Sequence, residues 1–104
     1  MILLIGGLGQ GQARYAAENW PQREIVGQVE ELLRQEEDGE AFARRLLAEH
    51  EQAVLWANEI GCGVAPLEAG ERRWREQTGR CLIYLASQAE QVFRLCCGLA
   101  LRLK

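Results

Sequence analysis

The stretch ILLIGGLGQGQARY, residues 2–15, carries the strongest indication of the fold. Its apolar run, Ile2 to Ile5, is short and closed by glycine, which is typical of a strand buried on both faces of a parallel sheet. The segment Gly6–Gly11 then leads into a predicted helix, QARYAAENW, that Pro21 ends. A buried strand, a glycine-rich loop and a helix are how a phosphate-binding loop begins, so an α/β fold is predicted.

Further along the chain, strands and helices continue to alternate. EIVG (24–27) is predicted as a second short strand, AVLWANE (53–59) as a strand, and QVFRLCC (91–97) and LALRLK (99–104) as a hairpin broken at Gly98. We therefore predict one domain, residues 1–104, with a P-loop NTPase-like (RecA-like) three-layer α/β unit. Its sheet is expected to be mostly parallel, with right-handed crossovers and a C-terminal β-hairpin.

Three further helices are predicted from apolar periodicity. QVEELLRQEE (28–37) is the first, Asp38 is positioned to cap the second, and the third runs from about residue 67 to 87. Their core-facing residues are expected to be Val29, Leu32 and Leu33 in the first, Phe42, Leu46 and Leu47 in the second, and Trp74, Thr78, Cys81, Leu82 and Leu85 in the third.

The composition of the chain argues against several classes of protein. The net charge is −3, so a nucleic-acid-binding surface, which needs clustered positive charge, is not expected. The opening apolar run is too short for a secretory signal, and no stretch approaches the roughly 18 residues of a membrane span. The four cysteines, Cys62, Cys81, Cys96 and Cys97, form no C-x-x-C pair. We expect a cytoplasmic protein with reduced, mostly buried thiols and no membrane partner.

The glycine loop departs from a working phosphate loop at its most important positions. Gly6 and Gly11 fit the two glycines of G-x-x-x-x-G-K-S/T, but Gln12 and Ala13 stand where the lysine and the hydroxyl residue belong. Gln12 has amide donors but no charge, and Ala13 has no oxygen for Mg²⁺. The candidate nucleotide-binding residues are Gly6, Gly7, Gly9, Gly11, Gln12 and Ala13. The alternative is a tight turn between strand and helix that binds nothing.

The second half of the chain carries a more specific pattern. It contains NEIGCGVAP (58–66), RWREQTGR (73–80) and GLALRLK (98–104). Together with the glycine loop, these segments resemble the bifunctional adenosylcobinamide kinase/adenosylcobinamide-phosphate guanylyltransferase family of cobalamin synthesis. That family has N-E-V-G-x-G-x-V-P, R-x-F/W-R-x-x-x-G-R and a closing hairpin that ends near a lysine. The resemblance implies a ligand edge at Asn58, Glu59, Gly61 and Gly63.

The sequence also lacks family features that carry the chemistry. The lysine and serine of the loop are missing, and the family's His-Arg-x-x-Arg-Pro stretch, whose histidine takes the guanylyl group, has no counterpart. His50 lies in the wrong place and is interpreted as structural. Glu59 is the carboxylate left for a metal, and the alternative is that it is solvated or paired with Arg73 or Arg75. We predict no catalytic residue and no metal site.

Taken together, these patterns predict a protein related to cobalamin biosynthesis that has kept the scaffold and lost the catalytic groups. It is expected to be a non-catalytic accessory or binding protein that holds a corrinoid, or ATP or GTP weakly, and to form a homo-oligomer. Two alternatives stay open at this point. One is a weak adenosylcobinamide kinase in which Gln12 and backbone donors suffice for catalysis, and the other is a structural interaction module.

Overall fold

The computed structural model describes residues 1–60 and 68–104, which form five strands and four α-helices. The strands are β1 (Ile2–Gly6), β2 (Ile25–Val26), β3 (Val54–Asn58), β4 (Gln91–Cys96) and β5 (Leu99–Arg102). The helices are α1 (Gln12–Asn19), α2 (Val29–Leu32), α3 (Gly39–Glu49) and α4 (Ala69–Gln88). Among these elements, no helix is long and apolar enough to cross a membrane.

All five strands belong to one sheet, in the order β2-β3-β1-β4-β5. β1 lies between β3 and β4 and is parallel to both, and β5 is antiparallel to β4. The register places Gly6 opposite Asn58, so the glycine loop and the end of β3 meet at the same carboxyl edge. The predicted parallel sheet and C-terminal hairpin are confirmed.

The sheet is covered on both faces, which gives three layers. On one face, α1 packs Ala16 against Ile2 and Leu4, with Tyr15 and Trp20 beside them. On the other face lies a larger core to which α2, α3 and α4 contribute; its fully buried members include Leu3, Val29, Leu33, Ala43, Leu55, Cys81 and Leu85. The predicted P-loop-like α/β class is therefore confirmed.

The segment 28–37 is not the single helix that the periodicity predicts. α2 ends at Leu32 and a 3₁₀ turn, Leu33–Gln35, follows. Val29 and Leu33 are buried as expected, but Leu32 is 43% exposed, so its predicted place in the core is wrong. The backbone carbonyl of Glu30 accepts a hydrogen bond from Trp74 Nε1 at 2.6 Å. This bond holds the turn against α4, and the chain does not continue as an α-helix.

The remaining helices follow their predictions closely. Asp38 caps α3 through Oδ1, which accepts from the Ala41 N–H at 3.0 Å. Leu46 is buried, and Phe42 and Leu47 pack against the core. α3 and α4 approach so closely at Gly39 that a Cβ there would lie 2.0 Å from the Gln77 carbonyl oxygen.

The β4–β5 hairpin is more exposed than its sequence suggests. Its turn holds Cys97 and Gly98 at φ of 52° and 75°, and both Cys96 and Cys97 are exposed, so the expectation of buried thiols is wrong for these two. Burial raises the pKa of the Cys81 thiol to about 12. Cys62 lies outside the described residues. Leu99 and Leu101 are exposed as well, because β5 is the edge strand of the sheet.

Candidate functional site

The glycine loop lies at the carboxyl edge of the sheet, between the ends of β1 and β3 and the β4–β5 turn. The Glu59 N–H donates to the Gly6 carbonyl at 2.6 Å, which joins the two strand ends directly. A Cβ at Gly6 would lie 2.7 Å from the Leu95 carbonyl oxygen on the other side. Only glycine fits this approach of three strands, so the loop starts from a fixed position.

The loop then turns into α1 through a glycine in the left-handed region. Gly11 is the N-cap of α1, with φ of 94° and no side-chain cap, and the first turn contains no acidic residue. The Gly11 carbonyl accepts from the Tyr15 N–H at 2.9 Å, which begins the helix. The backbone donors of this first turn and the positive end of the helix dipole are the anion-binding elements that the loop retains.

Gln12 occupies the lysine position but its side chain is turned into the protein. It is 3% exposed, and its Nε2 lies 3.1 Å from the Gly7 carbonyl, 3.3 Å from the Ala57 carbonyl and 3.2 Å from Asn58 Oδ1. An amide nitrogen carries two hydrogens, so these three acceptors account for all its donor capacity. Ala13 is exposed and offers no oxygen. The two substituted positions therefore stabilise the loop internally.

The network continues below the loop to a buried carboxylate. Asn58 donates from its backbone N–H to Glu30 Oε1 and from Nδ2 to Glu30 Oε2, both at 3.0 Å. Glu30 is 3% exposed. Glu30 was not predicted from the sequence, because the apolar periodicity of segment 28–37 indicates a helix and gives no sign of a buried carboxylate next to Val29. Only the topology, which brings α2 under the end of β3, shows its role.

The β4–β5 turn holds the loop from the opposite side. The Cys97 N–H donates to Gln10 Oε1 at 2.6 Å, and the Gly98 N–H donates to the Gln10 carbonyl at 3.2 Å. Gln10 was not among the predicted site residues. Hydrogen bonds from the strand ends, from Gln12 and from this turn thus all hold the loop.

Glu59 leaves the sheet edge on the face opposite α1. Its Oε2 lies 3.0 Å from an Arg94 guanidinium nitrogen, so its ion pair is with Arg94 and the alternative of a pair with Arg73 or Arg75 is wrong. β4 places Arg94 in register with Ile5, on the same face as Glu59, which the linear sequence does not reveal. The predicted ligand-edge residues Gly61 and Gly63 lie outside the described residues.

His50 is far from this edge. It is the C-cap of α3, ahead of β3, and its Nδ1 lies 2.7 Å from Glu24 Oε1. This hydrogen bond supports the structural interpretation of His50. Within residues 1–60 and 68–104, no group of three or more His, Cys, Asp or Glu side chains has an arrangement suited to hold a metal ion.

Comparison with known proteins gives one informative result. No curated protein matches the chain. The family model described as cobinamide kinase / cobinamide phosphate guanyltransferase matches residues 15–103. That match begins after the glycine loop, so it does not depend on the altered positions Gln12 and Ala13. The chain belongs to the cobinamide kinase / cobinamide phosphate guanyltransferase family, and its function is related to cobalamin biosynthesis.

Proposed function

We propose that this protein is a non-catalytic member of its family that binds a nucleotide or corrinoid ligand of cobalamin biosynthesis without transferring phosphoryl or guanylyl groups. The observation that carries the proposal is the orientation of Gln12. Its amide is bonded to Gly7, Ala57 and Asn58 inside the protein, whereas the lysine of a phosphate loop reaches outward to the β- and γ-phosphates.

The chemistry of phosphoryl transfer supports this proposal. Such transfer depends almost entirely on positioning and on stabilising charge in the transition state. Removing a single preorganised donor from a reaction centre costs about 10²–10³ in rate. Gln12 and Ala13 leave the loop without a cation and without a hydroxyl ligand for Mg²⁺. Several such losses together leave no efficient route to the reaction.

Weak binding is compatible with the same geometry. The uncapped first turn of α1 provides backbone donors and a dipole worth about 0.3–1 kcal/mol toward an exposed anion. We therefore expect millimolar anion binding at the loop and ATP or GTP binding that is no tighter. A homo-oligomer remains part of the proposal.

The first experiment tests catalysis. Purified protein with adenosylcobinamide and ATP or GTP is expected to form no product above a protein-free blank, measured by chromatography of the corrinoid. The second candidate function is a weak adenosylcobinamide kinase, which the free backbone donors in the first turn of α1 favour. Product formation that disappears in Glu59→Gln would establish that candidate and refute the pseudoenzyme.

The second experiment restores the motif. Gln12→Lys combined with Ala13→Ser is expected to tighten ATP or GTP binding about tenfold or more in calorimetry, because a charged hydrogen bond contributes roughly 1.5–3 kcal/mol and 1.4 kcal/mol is a tenfold change. Ala17→Lys, on the exposed side of α1, adds the same charge away from the loop and serves as the control. Equal gains in both variants, or micromolar binding by the natural protein, would contradict the proposal.

A further inference from the structure

A concave surface opens on the face of the sheet opposite α1. It is a cleft of about 250 Å³ between α4 and the carboxyl edge of the sheet, and its wall includes Glu59, Arg75, Thr78, Gly79 and Arg94. The Glu59 backbone joins this cleft to the glycine loop, since its N–H is bonded to the Gly6 carbonyl. The cleft and the glycine loop therefore share one edge of the sheet.

The cleft has an excess of positive charge. Arg94 is paired with Glu59 at 3.0 Å, and the Arg94 side chain remains 54% exposed. Arg75 makes no ion pair with any residue of the described segments 1–60 and 68–104. The segment 61–67, GCGVAPL, contains no Asp or Glu that could neutralise it. Two guanidinium groups thus face one carboxylate.

The helix side of the cleft has a polar group without a partner and has open space. Thr78 is fully buried in the middle of α4, and its Oγ1 has no hydrogen-bond partner among the described residues. Buried hydroxyl groups normally have a hydrogen-bond partner, so Thr78 Oγ1 retains unused bonding capacity at the wall of the cleft. Beside it, a Cβ at Gly79 would meet nothing within 4 Å.

We propose that this cleft is an oxyanion subsite that binds the phosphate monoester group of a ligand through Arg75 and Arg94. Guanidinium groups present paired N–H donors whose geometry matches phosphate oxygens, and arginine is the side chain best suited to this recognition. Binding would draw Arg94 from Glu59 toward the phosphate. The ligand class rests on the proposed function: cobinamide phosphate is the phosphate monoester that the family name specifies.

The site can be tested with inorganic phosphate alone, by amide NMR titration of the intact protein. Phosphate is expected to shift the amide signals of Thr78 and Gly79 with a millimolar dissociation constant. Arg75→Gln and Arg94→Gln should each weaken this constant about tenfold, the effect of removing a charge-assisted hydrogen bond. Arg72→Gln removes the same charge from an exposed position on α4 and should leave it unchanged.

A second pair of variants tests the same site without changing any charge, and it includes a control for folding defects. Gly79→Leu fills the open space in the cleft, whereas Gly70→Leu places the same side chain in open space near the start of α4. Only Gly79→Leu should abolish the shifts of the cleft amides. Shifts confined to Gly9 and Gly11, or equal effects of the two leucine variants, would overturn the proposal.

Corrinoid ligands then separate this proposal from the proposed function. Adenosylcobinamide phosphate is expected to bind about tenfold tighter than adenosylcobinamide, and Arg75→Gln should remove that difference. If neither corrinoid binds while inorganic phosphate still responds to Arg75 and Arg94, the corrinoid function fails and the oxyanion subsite stands. If both corrinoids bind equally and Arg75→Gln has no effect on either, the subsite fails and the corrinoid function stands.

Discussion

Two regions at the carboxyl edge of the sheet, the network beside the glycine loop and the cleft beside α4, use their polar groups differently. Beside the glycine loop, Asn58 is hydrogen-bonded to both Gln12 and Glu30; Gln12 and Glu30 are buried, and Asn58 is half-buried. In the cleft, Arg75, Arg94 and Glu59 surround open space, and only one close ion pair joins them. The first arrangement is satisfied internally, whereas the second has capacity left for a ligand.

This difference shows why the backbone of a nucleotide-binding loop can keep its course after the charged lysine has been lost. The position of the glycine loop depends on strand packing and on hydrogen bonds to Gly7, Ala57 and Gln10, none of which requires a cation. Loss of the lysine is therefore compatible with the fold. A binding site for anions, by contrast, needs unpaired donors: the first turn of α1 offers backbone N–H groups, and the α4 side offers the Arg75 guanidinium.

The largest expected effect comes from breaking the buried network at Glu30. In Glu30→Gln, an NH₂ group would replace one of the two oxygens that accept from Asn58, leaving buried donors facing each other. The free energy of unfolding should fall by about 2–3 kcal/mol, measured by urea denaturation. The exposed neighbour change Glu31→Gln should stay within about 0.5 kcal/mol. If the two variants were equally stable, the network would not hold the loop as described.

An intermediate effect of opposite sign is expected on the cleft side. Thr78→Val keeps the branched shape but removes the hydroxyl that lacks a partner, so the free energy of unfolding should rise by about 1 kcal/mol. Ser87→Ala, which removes a hydroxyl bonded to the Tyr84 carbonyl on the same helix, should not stabilise the protein. Destabilisation by Thr78→Val would show that this hydroxyl has a partner in solution.

The smallest effect on stability should come from the ion pair at the mouth of the cleft. Glu59→Gln is expected to change the free energy of unfolding by less than about 0.5 kcal/mol, because an exposed pair contributes little. Phosphate binding should nevertheless tighten about threefold, since Arg94 no longer has a competing carboxylate. Glu76→Gln removes a carboxylate paired with Arg80 on the outer side of α4 and should leave phosphate binding unchanged. Equal phosphate affinity in both variants would contradict the subsite.

Much of the fold was predictable because its signals are local. The apolar run before Gly6 predicted β1, and Asp38 predicted the start of α3. The break at Leu32 was not predictable from periodicity, because it depends on Trp74, which is distant in sequence and donates to the Glu30 carbonyl. The exposure of Leu32 and of the hairpin thiols likewise depends on tertiary packing and on which strand forms the edge of the sheet.

The candidate site was predictable only in part, for the same reason. The glycines and the altered position Gln12 are adjacent in sequence and were identified together. Glu30 lies in α2 and Arg94 in β4, and both contact residues at the carboxyl edge of the sheet. Nothing in their local sequence indicates this position. Glu59 was identified, but its ion-pair partner depends on the register of β4 against β1. Local sequence patterns thus located the loop, whereas the side chains around it can be identified only once the arrangement of strands and helices is known.

The bond between Gln10 and the β4–β5 turn also has a consequence for how the chain folds. It links positions separated by 87 residues, so the glycine loop gains its final support only after nearly the whole chain has assembled. Contacts of such high sequence separation form late, because closing a long loop costs entropy before any contact is gained. During synthesis and refolding, the first loop of the chain should therefore be among the last parts to become ordered.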